Sequence, residues 1–321
     1  MRLRRYVAFR VLQLVPVVLV VIVLNFLLVH LAPGDVSILL AGENADPAYM
    51  ATIREAYGLD RPFHEQLLRY LRQVLGFDLG RSFRSREPVF DEIMARVPAT
   101  LMLVGTALLI AVAAGTAIGT LIARRPGSTL DTLVSAASVS LFSIPVFWLG
   151  LMLILFFGVR LGALPTSGMA SVDGPRAGIG RVLDVAQHMI LPVLTLSTVW
   201  IGQYVRLARA SVAEVLSESY IVTARAIGFP ERRVLMHHAL RNALLPVVTV
   251  LGLQLGLALT GAVLTETVFS WPGLGRLLYD AILARDTPVI MGAFIVMSFT
   301  VALASLATDL LYAALDPRVS L

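Results

Sequence analysis

Six long apolar runs divide the chain: Val11–Leu31, Thr100–Ala123, Leu133–Val159, Met189–Val205, Ala243–Leu264 and Val289–Leu306. Each holds about 17 to 27 residues with no Asp, Glu or Arg. About 20 apolar helical residues cross a hydrocarbon core of about 30 Å, so the pattern predicts an all-α, polytopic membrane protein with six transmembrane helices. Pro145 falls inside the third run and predicts a kink there, because proline removes a helical hydrogen bond. Pro192 and Pro246 stand near the ends of theirs. Gly105, Gly115 and Gly119 in the second run, and Gly252, Gly256 and Gly261 in the fifth, suit close packing of helices.

The polar stretches between the runs carry their own helix signals. In residues 32–99, Asp46-Pro47 starts a helix that Gly58 ends. Pro62 to Gly76 places Phe63, Leu67, Leu68, Leu71, Val74 and Leu75 on one stripe, and Val89, Ile93 and Val97 share a face after Pro88. The sequence is compatible both with a small packed external domain and with helices lying flat on the bilayer. The longest polar interruption of the C-terminal half is Ser217 to Pro246, SESYIVTARAIGFPERRVLMHHALRNALLP. Ser217 or Ser219 can cap a short helix, with Glu218 in its first turn. That helix runs to about Ile227, where Gly228 serves as the residue past its end and Pro230 opens the next helix. The second helix starts at about Glu231 and enters the fifth apolar run. Thr223, Ala224 and Ala226 are small enough to let another surface approach. Arg225, Arg232, Arg233 and Arg241 surround them with positive charge.

Charge then orients the spans. All 26 basic residues are arginine, and the net charge is +5. With the N-terminus inside, segments 1–10, 124–133, 206–242 and 314–321 are cytoplasmic. They hold 13 arginines in about 65 residues, against 13 in about 120 outside. The twofold higher density predicts an N-in, C-in chain by the positive-inside rule. The same rule accounts for the basic balance without nucleic acid. The external 32–99 segment has ten acidic residues against eight arginines. MRLRRYVAFR followed by Val11–Leu31 reads as an uncleaved first span. The run is about twice a signal-peptide core, and no small-x-small site closes it. The predicted division is 1–31 for the N-terminus and first span and 32–99 for an extracytoplasmic helical segment. Residues 100–321 form a five-helix core that includes the cytoplasmic loop 206–242. Cysteine is absent, which excludes disulfides, thiolate metal sites and cysteine nucleophiles.

The stretch YIVTARAIGFPERRVLMHHALRNALLP resembles the cytoplasmic coupling loop of ABC importer permeases, in the form found in the dipeptide/oligopeptide/nickel group. Two departures from the general motif stand out. Its acidic triplet falls on Val222, Thr223 and Ala224, and its Leu-Pro falls on Leu240-Arg241. The resemblance extends to Leu31–Asp35, to Gly58–Phe63, to Phe77–Phe83, to Thr265–Ile282 and to Asp309–Leu321. It implies the permease subunit of an importer in a bacterial inner membrane, one that forms the path for peptides or a related small solute. The implied partners are a second permease, commonly in a heterodimer, two nucleotide-binding ATPase subunits and an extracytoplasmic solute-binding protein. ATP and Mg would sit on the ATPase subunits and no cofactor on this chain. Tyr220, Thr223, Ala224, Arg225, Ala226, Gly228 and Glu231 are then the residues expected to couple the chain to the ATPase. The resemblance leaves the solute open among dipeptides, longer peptides and nickel chelates.

Candidate chemistry within the chain is sparse. It holds no GxxxxGK[ST] phosphate loop, so it is not expected to hydrolyse ATP. His64-Glu65 lacks the second histidine of HExxH, and His237-His238 are adjacent rather than four apart, so no metal site is expected. Two acids stand at span edges, Glu266 at the outer end of the fifth and Asp309 at the inner end of the sixth. Near an interface each is expected to be solvated or paired, and each is also a candidate for the path or its gate. An ion-coupled secondary transporter would need ion-coupling carboxylates or broken helices at mid-membrane, and the span centres carry no charge, which counts against it. An intramembrane hydrolase would need a nucleophile beside a base, and His30 and His188 have no partner visible in sequence.

Overall fold

A computed structural model describes residues 2–31, 37–38, 46–175 and 177–315. Helix dominates it. Helix α1 is Arg2–Leu31, α2 is Pro47–Tyr57 and α3 is Phe63–Leu75. The 35-residue α4 is Val89–Ala123, α5 is Thr129–Ser143, and α6 is Val146–Leu153, continued by a wider π-turn segment at Ile154–Arg160. The 39-residue α7 is Gly178–Leu216, and α8 is Ser219–Ala226. A helical turn α9, Glu231–Arg233, passes through a π segment at Val234–Ala239 into α10, Leu240–Gly261. Helices α11, Val263–Val268, α12, Leu274–Ala284, and α13, Thr287–Leu315, complete the chain.

Among the described residues, five helices are long and apolar enough to cross a membrane, and a bent pair, α5 with α6 and its π segment, brings the number to six when counted as one broken span. The expected kink at Pro145 is a break of 97°. Ile144 is extended (φ −77°, ψ 125°), as a residue before proline prefers. The apolar run before Pro145 and the one after it therefore form separate helices. By contrast, the helix expected after Pro88 and the second span are one helix. At about 1.5 Å per residue α4 is about 52 Å long, well beyond a hydrocarbon core. Pro98 lies inside it.

The chain forms two compact units. Among the described residues, one comprises those up to 100 and 272–306, and the other 101–271 and 307–315. In the first, α3 packs its Tyr70 and Val74, with half-buried Leu67 and Leu71, against Ile22, Phe26 and Val29 of α1 and Met291 and Ile295 of α13. The predicted stripe on α3 is thus divided, since Leu68 and Leu75 face outward at 52% and 65% exposure. A second cluster joins Val89 and Ile93 to α12 and α13. Asp286, almost fully buried, accepts hydrogen bonds from the Ser82 hydroxyl (2.6 Å) and the Phe83 N–H (3.0 Å), and so pins the turn before α4.

In the second unit α7 is the central helix. A Cβ at Gly119 would lie 2.5 Å from the Val205 carbonyl oxygen, and one at Gly202 would lie 2.5 Å from that of Ser138. Neither position accepts a side chain, so α4 and α5 both approach α7 backbone to backbone. Of the glycines singled out from sequence, Gly115 and Gly119 sit at such contacts and Gly252 lies against the Thr308 side chain, whereas Gly105 faces open space. Gly256 and Gly261 lie outside the described side chains.

Candidate functional site

The short helix α8 hangs from the end of α7 by Ser217 and Glu218. No serine caps it. Ser217 Oγ donates back to the Glu214 carbonyl (2.6 Å), and the cap position belongs to Glu218, whose backbone carbonyl accepts from Ile221 (3.0 Å) and Val222 (3.3 Å). The C-terminal end follows the sequence closely. Gly228 N–H reaches the Arg225 carbonyl (2.9 Å) and Phe229 N–H reaches that of Ala224 (3.3 Å). This is the Schellman arrangement, and it requires the positive φ of +91° found at Gly228. No atom lies within 4 Å of a Cβ added there, so backbone conformation rather than crowding calls for glycine.

Helix α8 has two faces. Ile221 and Ala224 are buried against Val234 and Ala239, with Val215, Leu216 and Phe229 packed around them. These contacts key α8 to the end of α7 and to the π segment after α9 as one small module. Ala224 is therefore an internal packing residue, while Thr223 and Ala226 face outward. Sequence reading passed over Val222 and Ile227, which are 59% and 69% exposed. Two large apolar side chains standing out from a polar loop were the available signal. Tyr220 is half exposed, and its hydroxyl accepts from Asn242 Nδ2 (2.8 Å), tying α8 to the foot of α10.

Two polar contacts brace the module. Arg225 donates to both carboxylate oxygens of Glu231, at 2.8 and 3.1 Å. That hydrogen bonding holds the guanidinium even more firmly charged than usual. Both side chains are well exposed, so the pair adds only about 0–1 kcal/mol, and its contribution is to fix the angle between α8 and α9. Arg233 stacks over the Phe229 ring at 4.8 Å, and His238 lies 5.3 Å from the same ring.

A further pair was not legible in sequence. Arg209 of α7 grips Asp131 of α5 with two nitrogens: Nη2 donates to Oδ2 at 2.6 Å, and Nε donates to Oδ1. Gly127 N–H also donates to Oδ2 (2.9 Å). The Asp131 side chain is 3% exposed. Seventy-eight residues separate the partners, so no local pattern links them.

Of the two acids at span edges, Glu266, in α11, is fully buried, which removes the solvated alternative and leaves the paired one. Asp309 is in α13, and its side chain lies outside the described residues. The two edge histidines do have partners. His30 Nε2 lies 2.8 Å from Gln66 Oε1, and His188 Nδ1 lies 2.8 Å from the Asp184 carbonyl. Neither contact is with a hydroxyl nucleophile, which counts against a hydrolase.

Comparison with known proteins covers both units. Residues 115–321 match the family described as "Binding-protein-dependent transport system inner membrane component", and residues 3–104 match that described as its N-terminal membrane component. The dipeptide transport system permease protein of Escherichia coli (strain K12) is 41% identical over 323 residues, 95% of each chain. The glutathione transport system permease protein of Salmonella paratyphi A is 44% identical over 314 residues, 98% of each. The di/tripeptide transport system permease protein of Pseudomonas aeruginosa is 40% identical over 329 residues, again 98% of each. Among solved structures, the MetNI methionine ABC transporter in an inward-facing conformation has a chain that aligns with a TM-score of 0.56 and 20% identity. The match covers 70% of this chain and 96% of that one, and it speaks to the fold alone.

Proposed function

The chain belongs to the binding-protein-dependent transport system inner membrane component family, and from that premise we propose that it forms half of the translocation path of an importer for short peptides. It is a multi-pass inner-membrane permease of the ABC importer class, and ATP hydrolysis belongs to separate subunits. The single observation behind the peptide reading is similarity over at least 95% of the chain to proteins named for dipeptides, glutathione and di/tripeptides. Those solutes share a small peptide backbone with charged ends. A second permease completes the path, two nucleotide-binding subunits carry ATP and Mg, and an extracytoplasmic binding protein delivers the peptide.

In this reading the N-terminus and the 206–242 loop are cytoplasmic and residues 32–99 are extracytoplasmic, as the arginine density implies. The exposed face of α8 seats on the ATPase subunit. Val222, Thr223, Ala226 and Ile227 make the contact. Tyr220, Ala224, Arg225, Gly228 and Glu231 hold the helix in position for it. Supporting this assignment are the apolar exposure of Val222 and Ile227 and the packing of α8 against the end of α7 and the π segment after α9. Closure of the ATPase pair then displaces α8 and, with it, the feet of two spans. Energy is transmitted because the contacts differ between the two states.

The test is reconstitution of the full complex in proteoliposomes, with dipeptide uptake and dipeptide-stimulated ATP hydrolysis as readouts. Val222→Asp removes an outward apolar contact without touching the core. It should weaken co-purification of the ATPase subunits about tenfold, the effect of losing roughly 1.4 kcal/mol at an interface. Full association and stimulation in Val222→Asp would overturn the docking face. Absence of uptake of any short peptide by an assembled wild-type complex would overturn the substrate class.

A further inference from the structure

We propose that the groove between the end of α4 and the start of α10 binds an anionic phospholipid of the cytoplasmic leaflet, with its phosphate on Arg124 and an acyl chain along the apolar wall behind the α8 module. The inference rests on the N-in orientation and on the coupling reading of α8, and it adds a lipid ligand to both.

The groove has a volume of about 470 Å³, within the range of small-molecule sites. On one wall Thr116, Thr120 and Arg124 follow one another at four-residue intervals, and so share a face of α4 and the residue just past its end. The lining of that wall runs from Val112 to Arg124, about 18 Å of chain. That is close to one leaflet, half of a hydrocarbon core of about 30 Å. The opposite wall is apolar: Leu235 comes from the π segment, and Leu240 and Leu244 from α10. Ala123, Leu235 and Ala243 pack with Val212 of α7, which joins the two walls next to Arg124. An apolar length with a cation at its end matches an amphiphile with an anionic head, and basic pockets between spans on the cytoplasmic side take such headgroups. A free dipeptide, charged at both ends, would have to bury one charge against leucines.

Arg124 is available to a phosphate. It has no hydrogen bond or ion pair among the described residues, whereas Arg209 is held by Asp131 and Arg225 by Glu231. Its guanidinium can donate to phosphate oxygens with two nitrogens at once. Its charge also reaches the brace of the α8 module. The hydrogen bond from Arg225, and more weakly the charge of Arg124, hold the Glu231 carboxyl below its usual range. Further along the groove, the hydroxyls of Thr116 and Thr120 are buried with no hydrogen-bond partner among the described residues. Those of Thr195, Thr249 and Thr300 instead donate to the carbonyl four residues back. A helical threonine has two accessible χ1 rotamers. Turned to the groove, the Thr116 and Thr120 hydroxyls would donate to phosphate or ester oxygens of the lipid.

The groove also backs onto the coupling module. Val234 and Ala239 of the π segment pack against Ile221 and Ala224 of α8, while Leu235 and half-exposed Met236 of the same segment line the groove. Wider helical turns of this kind recur at functional sites. A lipid seated in the groove would support the segment from the side opposite α8. A ligand that binds one arrangement of the module stabilises that arrangement, so anionic lipid should favour the coupled state.

The experiment uses the full complex, reconstituted in phosphatidylcholine vesicles with or without phosphatidylglycerol. The chain has no cysteine of its own, so Met236→Cys gives it a single thiol for a fluorophore on the groove wall, in a complex whose partner subunits are also free of cysteine. Brominated phosphatidylglycerol should quench that fluorophore several-fold more than brominated phosphatidylcholine at the same mole fraction. Arg124→Gln should abolish the preference, and so should Ala117→Trp, which fills the groove and keeps the charge. Arg125→Gln, next to the lining but outside it, should retain the preference. Equal quenching by the two lipids, or a preference that survives Arg124→Gln, overturns the proposal. So does the absence of quenching by either lipid together with cross-linking of Met236→Cys to the second permease, which would give the groove to a protein helix. Peptide-stimulated ATP hydrolysis should be several-fold higher with phosphatidylglycerol than without it in wild type, and indifferent to it in Arg124→Gln. An equal response of the two proteins also overturns the proposal. Selective quenching in a wild-type complex that shows no peptide stimulation in either lipid would keep the lipid site and fail the coupling reading alone.

Discussion

Gly228 shows how a single residue sets the geometry of α8. Its φ of +91° is in the region where a β-carbon is penalised, and no neighbour lies close enough to add a steric cost. Replacement by valine costs about 1–2 kcal/mol through the backbone alone. Gly228→Val should therefore reduce ATPase co-purification roughly 5- to 30-fold while membrane insertion stays normal. Gly228→Asn should fall between valine and wild type, because asparagine tolerates the left-handed region better than a β-branched residue does. Equal association of the valine variant and wild type, measured on purified complexes, would remove the cap from the coupling argument. Ala224 teaches the complementary lesson. Its small size serves the packing of Ile221, Val234 and Ala239, so a bulky replacement would disturb the module itself before it met any partner.

At the scale of elements, α3 separates amphipathic pattern from actual burial. Leu67 packs toward Ile22, Phe26 and Tyr70, and Leu68, the next residue, is half exposed. Leu67→Asp should sharply lower the amount of folded protein, because burying an unpaired carboxylate costs several kcal/mol. Leu68→Asp should stay within about 0.5 kcal/mol of wild type. Size-exclusion profiles of the solubilised variants make the comparison, and equal losses from both would mean that the packed face has been assigned wrongly. The helix after Pro230 offers a second case. Its sequence reads as one continuous helix, yet Val234–Ala239 winds as a wider turn. Such segments cluster where function asks a helix to deviate from regular geometry, and this one adjoins α8.

At the scale of the whole molecule, arginine density predicts that residues 32–99 lie outside and the 206–242 loop inside. Single cysteines at Ser85 and Ser217, both exposed, report on it without background labelling. An impermeant thiol reagent added to intact cells should label Ser85→Cys and spare Ser217→Cys. Labelling of Ser217→Cys would invert the orientation and move α8 away from any cytoplasmic ATPase.

Much of this protein was decided by its sequence alone. The number of candidate spans follows from run length against bilayer thickness, and the helix–glycine–helix form of the loop from Ser217 follows from Gly228 and Pro230. Helix caps and hydropathy are local properties, set within a few residues. The membership of the chain was legible too, because the motif-bearing stretches lie along nearly all of it. Tertiary structure decided what depends on partners distant in the chain. It turned Ala224 inward and Val222 and Ile227 outward, divided the stripe on α3, and buried Glu266. It also brought Asp131 to Arg209 and converted an expected kink into a break of 97°. In each case the outcome rests on which face of a helix meets another helix, and periodicity within one element does not specify that neighbour.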